Sequence, residues 1–312
     1  MASSTRMNVA AGVIAAIALS FCVAVGLHVQ LIQPHPGDTF LDPNTNAPPG
    51  TVYKRFYSKT INGEANYLIY LPPGYEQSNR RYPVVYWLHG LNDSPRVGGD
   101  FVARIDAAIK SVACPPMIVV LPNGHRDYRY YDSKDGTVPV ESVIMKDLLP
   151  HIDATYRTIA TREGRAIEGF SVGGFGAVRF GFKYPDLFCA ITSVSGAIYD
   201  EIGIRGQPGG PWTRAHFQKV FGGDAEYYRV TSPQVLAEKN RDAIRKIKIR
   251  LYIGDKDGLV TPTDRFRNVL QRLEIPFNYT VIPNLDHDQK GMYDAIGPET
   301  AAFYRDLFKS PG

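Results

Sequence analysis

Apolar and polar positions change their rhythm several times along the chain. Residues 52–58 and 66–71 alternate, and Pro72-Pro73-Gly74 closes the second run. That spacing predicts an antiparallel strand pair at a sheet edge. Short continuous apolar runs follow at 83–89, 117–122, 165–170, 189–195, 249–253 and 277–282. Runs of this length, bounded by turn residues, predict strands buried on both faces. Helical stretches lie between and after them, at 101–113, 140–156, 173–183, 234–247, 263–273 and 298–308. Strands separated by helices imply an α/β class, with a mainly parallel central sheet and helices on both faces. The rhythm breaks at about 196–232. There Gly206, Pro208, Gly209, Gly210 and Pro211 precede Trp212, Phe217 and Phe221, which predicts a small cap insertion. No internal repeat is present, and 51–312 reads as a single domain.

The amino terminus has a different pattern. Arg6 precedes an uncharged run of Ala, Val, Ile and Leu at 9–27. A helix needs roughly 20 apolar residues to cross a bilayer, so 1–27 reads as a signal peptide or a membrane anchor. Ala24-Val25-Gly26 offers the small residues of a cleavage site. Cys22 follows Phe21, where a lipidation site wants a small residue. Residues 28–50 carry Pro34, Pro36, Pro43, Pro48 and Pro49 and read as an extended tether. No Lys or Arg stands between Arg6 and Lys54. This charge asymmetry predicts an exported domain, secreted, periplasmic or anchored outside the cytoplasm.

Charge and cysteine content narrow the functional classes. Lys and Arg total 35 against 31 Asp and Glu, a net charge of +4. No dense basic block accompanies it, which excludes a nucleic-acid partner as the leading reading. With 3 cysteines the chain has no disulfide framework. Asp255 and Asp257 lack a third ligand at a recognisable spacing, and His-Glu-x-x-His is absent, so neither metal nor cofactor is expected.

The candidate chemistry sits on turns. Gly169-Phe170-Ser171-Val172-Gly173 joins a buried strand to a glycine-rich helix. A nucleophile on such a sharp turn takes strained backbone angles and needs small residues two positions to either side. Gly169 and Gly173 stand there, making Ser171 the candidate nucleophile. A serine hydroxyl needs a base. His287, on the loop after the last strand, follows the serine in the required order. His89 and His125 precede it, and His151 and His216 read as solvent-facing helical residues. The acid should follow the preceding strand, where Asp255 and Asp257 both stand. Asp257 is better placed to reach back over the sheet edge, and Asp255 to hold the turn. The oxyanion needs two backbone donors. These are expected from Val172, next to the nucleophile, and from Leu91 in His89-Gly90-Leu91-Asn92, with His89 bracing that loop.

Further segments fall in order with these: Trp87-Leu88-His89-Gly90, Leu121-Pro122-Asn123-Gly124, Asp147-Leu148-Leu149-Pro150, Glu168 through Gly174, and Tyr184-Pro185-Asp186-Leu187-Phe188. As a set they resemble the putative-esterase family of α/β-hydrolases, which includes esterase D, feruloyl and acetyl-xylan esterases and the mycolyltransferase antigens. The resemblance runs from about Thr51 to Phe308. It implies an α/β-hydrolase fold and a serine carboxylesterase acting on a carbohydrate-linked acetyl or feruloyl-type ester. An acyltransferase with the same triad, or a non-catalytic surface binding protein on this scaffold, are the alternatives. The family's Gly-x-x-Asp falls on Gly254 to Asp257 and implies Asp257 as the acid. The chain departs from the family at Phe170 and Val172, and in the loop 123–132. Tyr128, Tyr130 and Tyr131 in that loop, with Trp212, either wall the substrate site or pack the loop against the cap.

Overall fold

A computed structural model of the chain describes residues 39–126, 128–199 and 214–309. The 1–27 segment, the first part of the tether and Trp212 lie outside the described residues. Among those described, no helix is long and apolar enough to cross a membrane.

Eight strands form one sheet: β1 (Thr51–Ser58), β2 (Gly63–Tyr70), β3 (Val84–Leu88), β4 (Ile118–Pro122), β5 (Arg165–Phe170), β6 (Ala190–Val194), β7 (Lys248–Gly254) and β8 (Asn278–Ile282). Their order is β1-β2-β4-β3-β5-β6-β7-β8. The first two strands form the expected antiparallel hairpin, β2 pairs antiparallel with β4, and every later pairing is parallel. Alternation along each buried strand feeds two separate cores. Tyr67, Ile69, Tyr86, Leu88 and Val120 point to one face, and Leu68, Tyr70, Val85, Trp87 and Val119 to the other. Both faces are covered by helix, which is why these strands read as continuous apolar runs rather than alternating ones.

The helices that matter for the site are α1 (Gly99–Lys110), α2 (Leu149–Thr155), α3 (Val172–Lys183), α4 (Arg214–Phe221), α5 (Ala225–Val230), α6 (Pro233–Lys239), α7 (Val260–Arg272) and α8 (Gln289–Leu307). Several depart from the periodicity. The stretch 140–156 is not one regular helix, because Val143–Leu148 is a π-helical segment leading into α2. The stretch 234–247 breaks at Asn240 into α6 and the short Arg241–Ile244 helix, and the Asn240 side-chain amide donates to the Phe182 carbonyl at 2.7 Å. The last helix begins at Gln289, well before Pro298, which lies inside it. An interior proline costs a helix about 3 kcal/mol. Here the buried stripe Met292, Tyr293, Ile296, Thr300 and Tyr304 runs across the proline without interruption, and Asp288 caps the start by accepting from the Lys290 and Gly291 amides.

The expected tether also needs correction, because its second half is part of the fold. Asp42 is buried and pairs with Arg96, which also donates to the Asn46 carbonyl at 2.8 Å. The Asn123 amide donates to the Thr39 carbonyl at 2.9 Å. The docking depends on Arg96 and Asn123, far away in sequence.

Helix α3 is fixed by a buried ion pair. Arg179 donates to Glu141 at 2.6 Å, with side-chain exposures of 1% and 3%. It also donates to the Tyr130 carbonyl at 3.0 Å and the Thr231 carbonyl at 3.1 Å, and its guanidinium lies 4.1 Å from the Tyr131 ring centre. Lys183 and Tyr184 add further contacts to Glu141. Burial alone would raise the Glu141 pKa, but Arg179 and Lys183 outweigh it and hold the carboxyl down at about 2. A lowered folded-state pKa stabilises the fold above the ordinary carboxylate range, and that contribution is lost as pH falls toward 2. Breaking a buried pair from one side costs about 3–5 kcal/mol. Arg179→Ala should lose about that much in chemical denaturation at neutral pH, and much less near pH 2. A loss under 1 kcal/mol at neutral pH would show that the pair does not anchor α3.

Candidate active site

The parallel strands deliver their carboxyl ends to one edge of the sheet. Ligands of open α/β sheets bind at that edge. Ser171 follows β5, Asp257 follows β7, His287 follows β8, and Leu91 follows β3.

Ser171 has φ 57° and ψ −120°, a conformation strained for a residue with a side chain. Its neighbours explain why it is held. The Ser171 amide donates to the Val194 carbonyl at 2.9 Å, and its carbonyl accepts from Phe175 and Ala197 at 3.0 Å each. Any Cβ at Gly173 would collide with the Leu88 carbonyl, and one at Gly169 with the backbone of Gly173. Glycine at both positions lets β5 turn into α3 within van der Waals reach of β3.

The structure brings three of the expected side chains together. His287 Nε2 lies 2.9 Å from Ser171 Oγ, and His287 Nδ1 lies 2.9 Å from Asp257 Oδ2. The other carboxylate oxygen of Asp257 accepts from the Leu259 amide at 2.9 Å. Burial would raise the Asp257 pKa, but the hydrogen bonds from His287 and Leu259 prevail and lower it. The carboxylate is therefore ionised at neutral pH. Asp255 is exposed, and only its backbone is engaged, by the Ile282 carbonyl at 3.0 Å. The two loops that carry acid and imidazole are stitched together by that bond and by Lys256 N–H donating to the Leu285 carbonyl at 2.9 Å. Gly254 admits this approach, since a Cβ there would meet the same Leu285 carbonyl.

Ser171 and His287 open into a cleft of about 340 Å³, lined also by Leu91, Val172, Arg129, Ala197, Tyr199 and Leu259. The backbones expected to donate to an oxyanion thus border the same space. Among the described residues, neither the Leu91 nor the Val172 N–H is engaged by a protein acceptor. Gly90 brings the Leu91 loop against the nucleophile, because a Cβ on Gly90 would lie 3.6 Å from the Ser171 Cβ. His89 is fully buried and braces the loop from behind. Its Nδ1 is 2.9 Å from the Gly90 carbonyl, and its Nε2 accepts from the Gly124 amide at 3.1 Å. Burial lowers its pKa to about 4, which keeps the ring neutral.

Other expectations about this region change. Tyr128, Tyr130 and Tyr131 do not wall the cleft; all are buried, with exposures of 5%, 1% and 0%. Tyr131 packs edge-on against Phe221 at 4.9 Å, so the loop-against-cap alternative is the one realised there. His151 is not solvent-facing: it stacks on Phe56 at 5.3 Å and contacts the Tyr67 hydroxyl at 3.1 Å. Asp255 does not hold its turn through its side chain. The residues missed by sequence reasoning are Arg129, Tyr199, Ala197 and Leu259, which line the cleft, and Phe170, whose ring lies 4.8 Å from that of His287. Phe170 and Arg129 carried a signal, Phe170 as the departure from the usual elbow residue and Arg129 as part of the departing loop 123–132. Among the described residues, no group of His, Cys, Asp and Glu is placed to hold a metal ion.

Comparison with known proteins finds relatives of this chain. The family model described as "Putative esterase" matches residues 58–294. An esterase of Mycobacterium tuberculosis is 35% identical over 164 residues, covering 51% of this chain and 35% of that protein. The matched region thus spans about a third of that relative's length. An endo-1,4-beta-xylanase/feruloyl esterase of Xylanibacter ruminicola is 29% identical over 153 residues, covering 46% of this chain and 21% of that protein. Among solved structures, a ferulic acid esterase superposes with a TM-score of 0.69 at 24% identity, over 83% of this chain and 98% of that one. It shares the α/β-hydrolase fold.

The elbow yields a stability prediction. Gly173→Ala should cost about 1–3 kcal/mol or more, since the added methyl faces rigid backbone rather than a movable side chain. Thermal denaturation measures this. A variant as stable as the parent would mean that the contact of α3 with β3 is not tight.

Proposed function

This chain belongs to the putative-esterase family, and we propose that it is a serine carboxylesterase working through an acyl-enzyme. The observation that carries this reading is the unbroken hydrogen-bonded line from Asp257 through His287 to Ser171, with 2.9 Å at each step. In the proposed reaction, Ser171 Oγ attacks the ester carbonyl while His287 Nε2 takes its proton. Asp257 fixes the imidazole tautomer and stabilises the imidazolium that forms. The Val172 and Leu91 N–H groups hold the developing oxyanion. The tetrahedral intermediate collapses, His287 returns the proton to the leaving alcohol, and a serine ester remains. Water, activated by His287, then releases the acid and restores Ser171.

The proposed substrate is a carbohydrate-linked acetyl or feruloyl-type ester. The support is the mixed lining of the cleft, apolar at Leu91, Val172, Ala197 and Leu259 and polar at Arg129 and Tyr199, together with a relative whose name includes feruloyl esterase. The proposed location is outside the cytoplasm, resting on the apolar run 9–27 and the charge asymmetry around it.

Removing a triad nucleophile costs roughly 10⁴-fold or more in turnover. Ser171→Ala should lose that much against aryl acetates while keeping its melting temperature; retained turnover would remove Ser171 from the mechanism. Asp257→Asn should lower kcat about 10²- to 10⁴-fold. Asp255→Asn, at an exposed carboxylate, should stay within about 0.5 kcal/mol in stability and within two-fold in kcat. The reverse pattern would exchange the two aspartates. A panel of acetyl, feruloyl and longer acyl esters, with product analysis in the presence of a sugar acceptor, tests the acyl group and separates hydrolysis from transfer.

A further inference from the structure

The Tyr130 side chain is buried close behind the active site without bordering the cleft. Its ring lies where two glycines leave room. A Cβ on Gly176 would meet it at 2.7 Å, and one on Gly124 would collide with it. Its backbone sits at φ 62°, and its carbonyl accepts from buried Arg179 at 3.0 Å. Its hydroxyl donates to the His89 carbonyl at 2.9 Å. Burial pushes the Tyr130 pKa far up, so the hydroxyl remains a donor.

The tautomer of His89 extends this chain. Gly124 offers only an N–H to His89 Nε2, so Nε2 is the unprotonated nitrogen and Nδ1–H donates to the Gly90 carbonyl. That carbonyl belongs to the peptide whose other end is the Leu91 N–H. In a planar trans peptide the two groups point in opposite directions. Holding the Gly90 oxygen on the buried side turns the Leu91 N–H the other way, toward the cleft. Two consecutive carbonyls of the loop are thus clamped from behind, that of His89 by Tyr130 and that of Gly90 by the His89 ring.

We propose that Tyr130 is a positioning residue for the oxyanion hole, holding the His89-Gly90-Leu91 loop in register with the helix that carries Val172. Arg179 lies on α3, the helix that begins at Val172, and reaches Tyr130 from there. Both donors are therefore referenced to one rigid element. This assignment rests on the serine-esterase reading above, and Tyr130 itself touches no reacting atom.

Tyr130→Phe keeps the ring and deletes the hydroxyl. Loss of a whole oxyanion donor costs about 10²- to 10³-fold in kcat, so a misaimed one should cost roughly 10- to 100-fold. The KM for an aryl acetate should stay within two-fold. Affinity for a trifluoromethyl ketone, which forms a tetrahedral oxyanion adduct with a serine, should fall by the same factor as kcat. Active-site titration and melting temperature should match the parent. An unchanged kcat, a loss explained by fewer titratable sites, or a drop in kcat without a matching drop in ketone affinity would each overturn the assignment. Ser171→Ala is run beside it. An inactive Ser171→Ala with a fully active Tyr130→Phe overturns the Tyr130 role alone, whereas turnover by Ser171→Ala overturns the esterase reading and the Tyr130 role with it.

Discussion

The backbone of Ser171 is where this fold accepts strain, and the site is arranged around it. A residue with a side chain at φ 57° costs on the order of 1–3 kcal/mol and persists only when its surroundings over-determine it. Here the surroundings are the closest backbone packing in the site: α3 lies directly on the carbonyls of Leu88 and His89, with Gly173 at the contact. One constraint has several consequences. It lifts the hydroxyl above the sheet edge, starts a helix at Val172, and brings the Leu91 loop beside the nucleophile. The helix start leaves N–H groups unpaired, which is the chemistry an oxyanion hole uses.

Charge placement follows a consistent logic on both sides of this turn. Near the cleft, Asp257 keeps its charge because hydrogen bonds to its carboxylate outweigh burial. His89 loses its charge because burial outweighs its hydrogen bond to the Gly90 carbonyl, and a neutral ring can accept at one nitrogen and donate at the other. Behind α3, Glu141 and Arg179 are buried together and fully engaged. On the opposite face of the sheet, Glu168 is buried with Arg250 at 3.7 Å and accepts from Tyr304 at 2.5 Å. There burial prevails and raises the Glu168 pKa. The same residue type is thus driven in opposite directions by the number and quality of its partners. The elbow is held between these two polar networks, one tying α3 to the loop after β4, the other tying β5 to α8.

The loop after β4 illustrates how packing reassigns residues. Three tyrosines in a stretch of ten next to a catalytic turn suggest a substrate wall when read as composition. In the fold they form a layer between α3 and the cap helices, with Tyr131 against Phe175 at 5.6 Å and Tyr130 against Phe180 at 6.0 Å. From this loop it is Arg129 that lines the cleft, joined by Ala197, Tyr199 and Leu259 from neighbouring segments.

The sequence by itself determined the strand and helix alternation, the sheet's parallel character, the elbow at Ser171 and the candidacy of His287. These were legible because each depends on local rules: apolar runs for buried strands, glycines at fixed offsets around a strained serine, and chain order for the base. Tertiary structure decided everything that depends on which distant segments meet. Asp255 and Asp257 are two residues apart, and what separates them is the zipper between the turn after β7 and the loop carrying Leu285 and His287. The extended segment before β1 became part of the domain because Arg96 and Asn123 hold its backbone. The final helix ran through Pro298 because its buried face was worth more than the missing hydrogen bond. Tyr130 turned inward because two glycines, distant in sequence from each other, left a space of its shape.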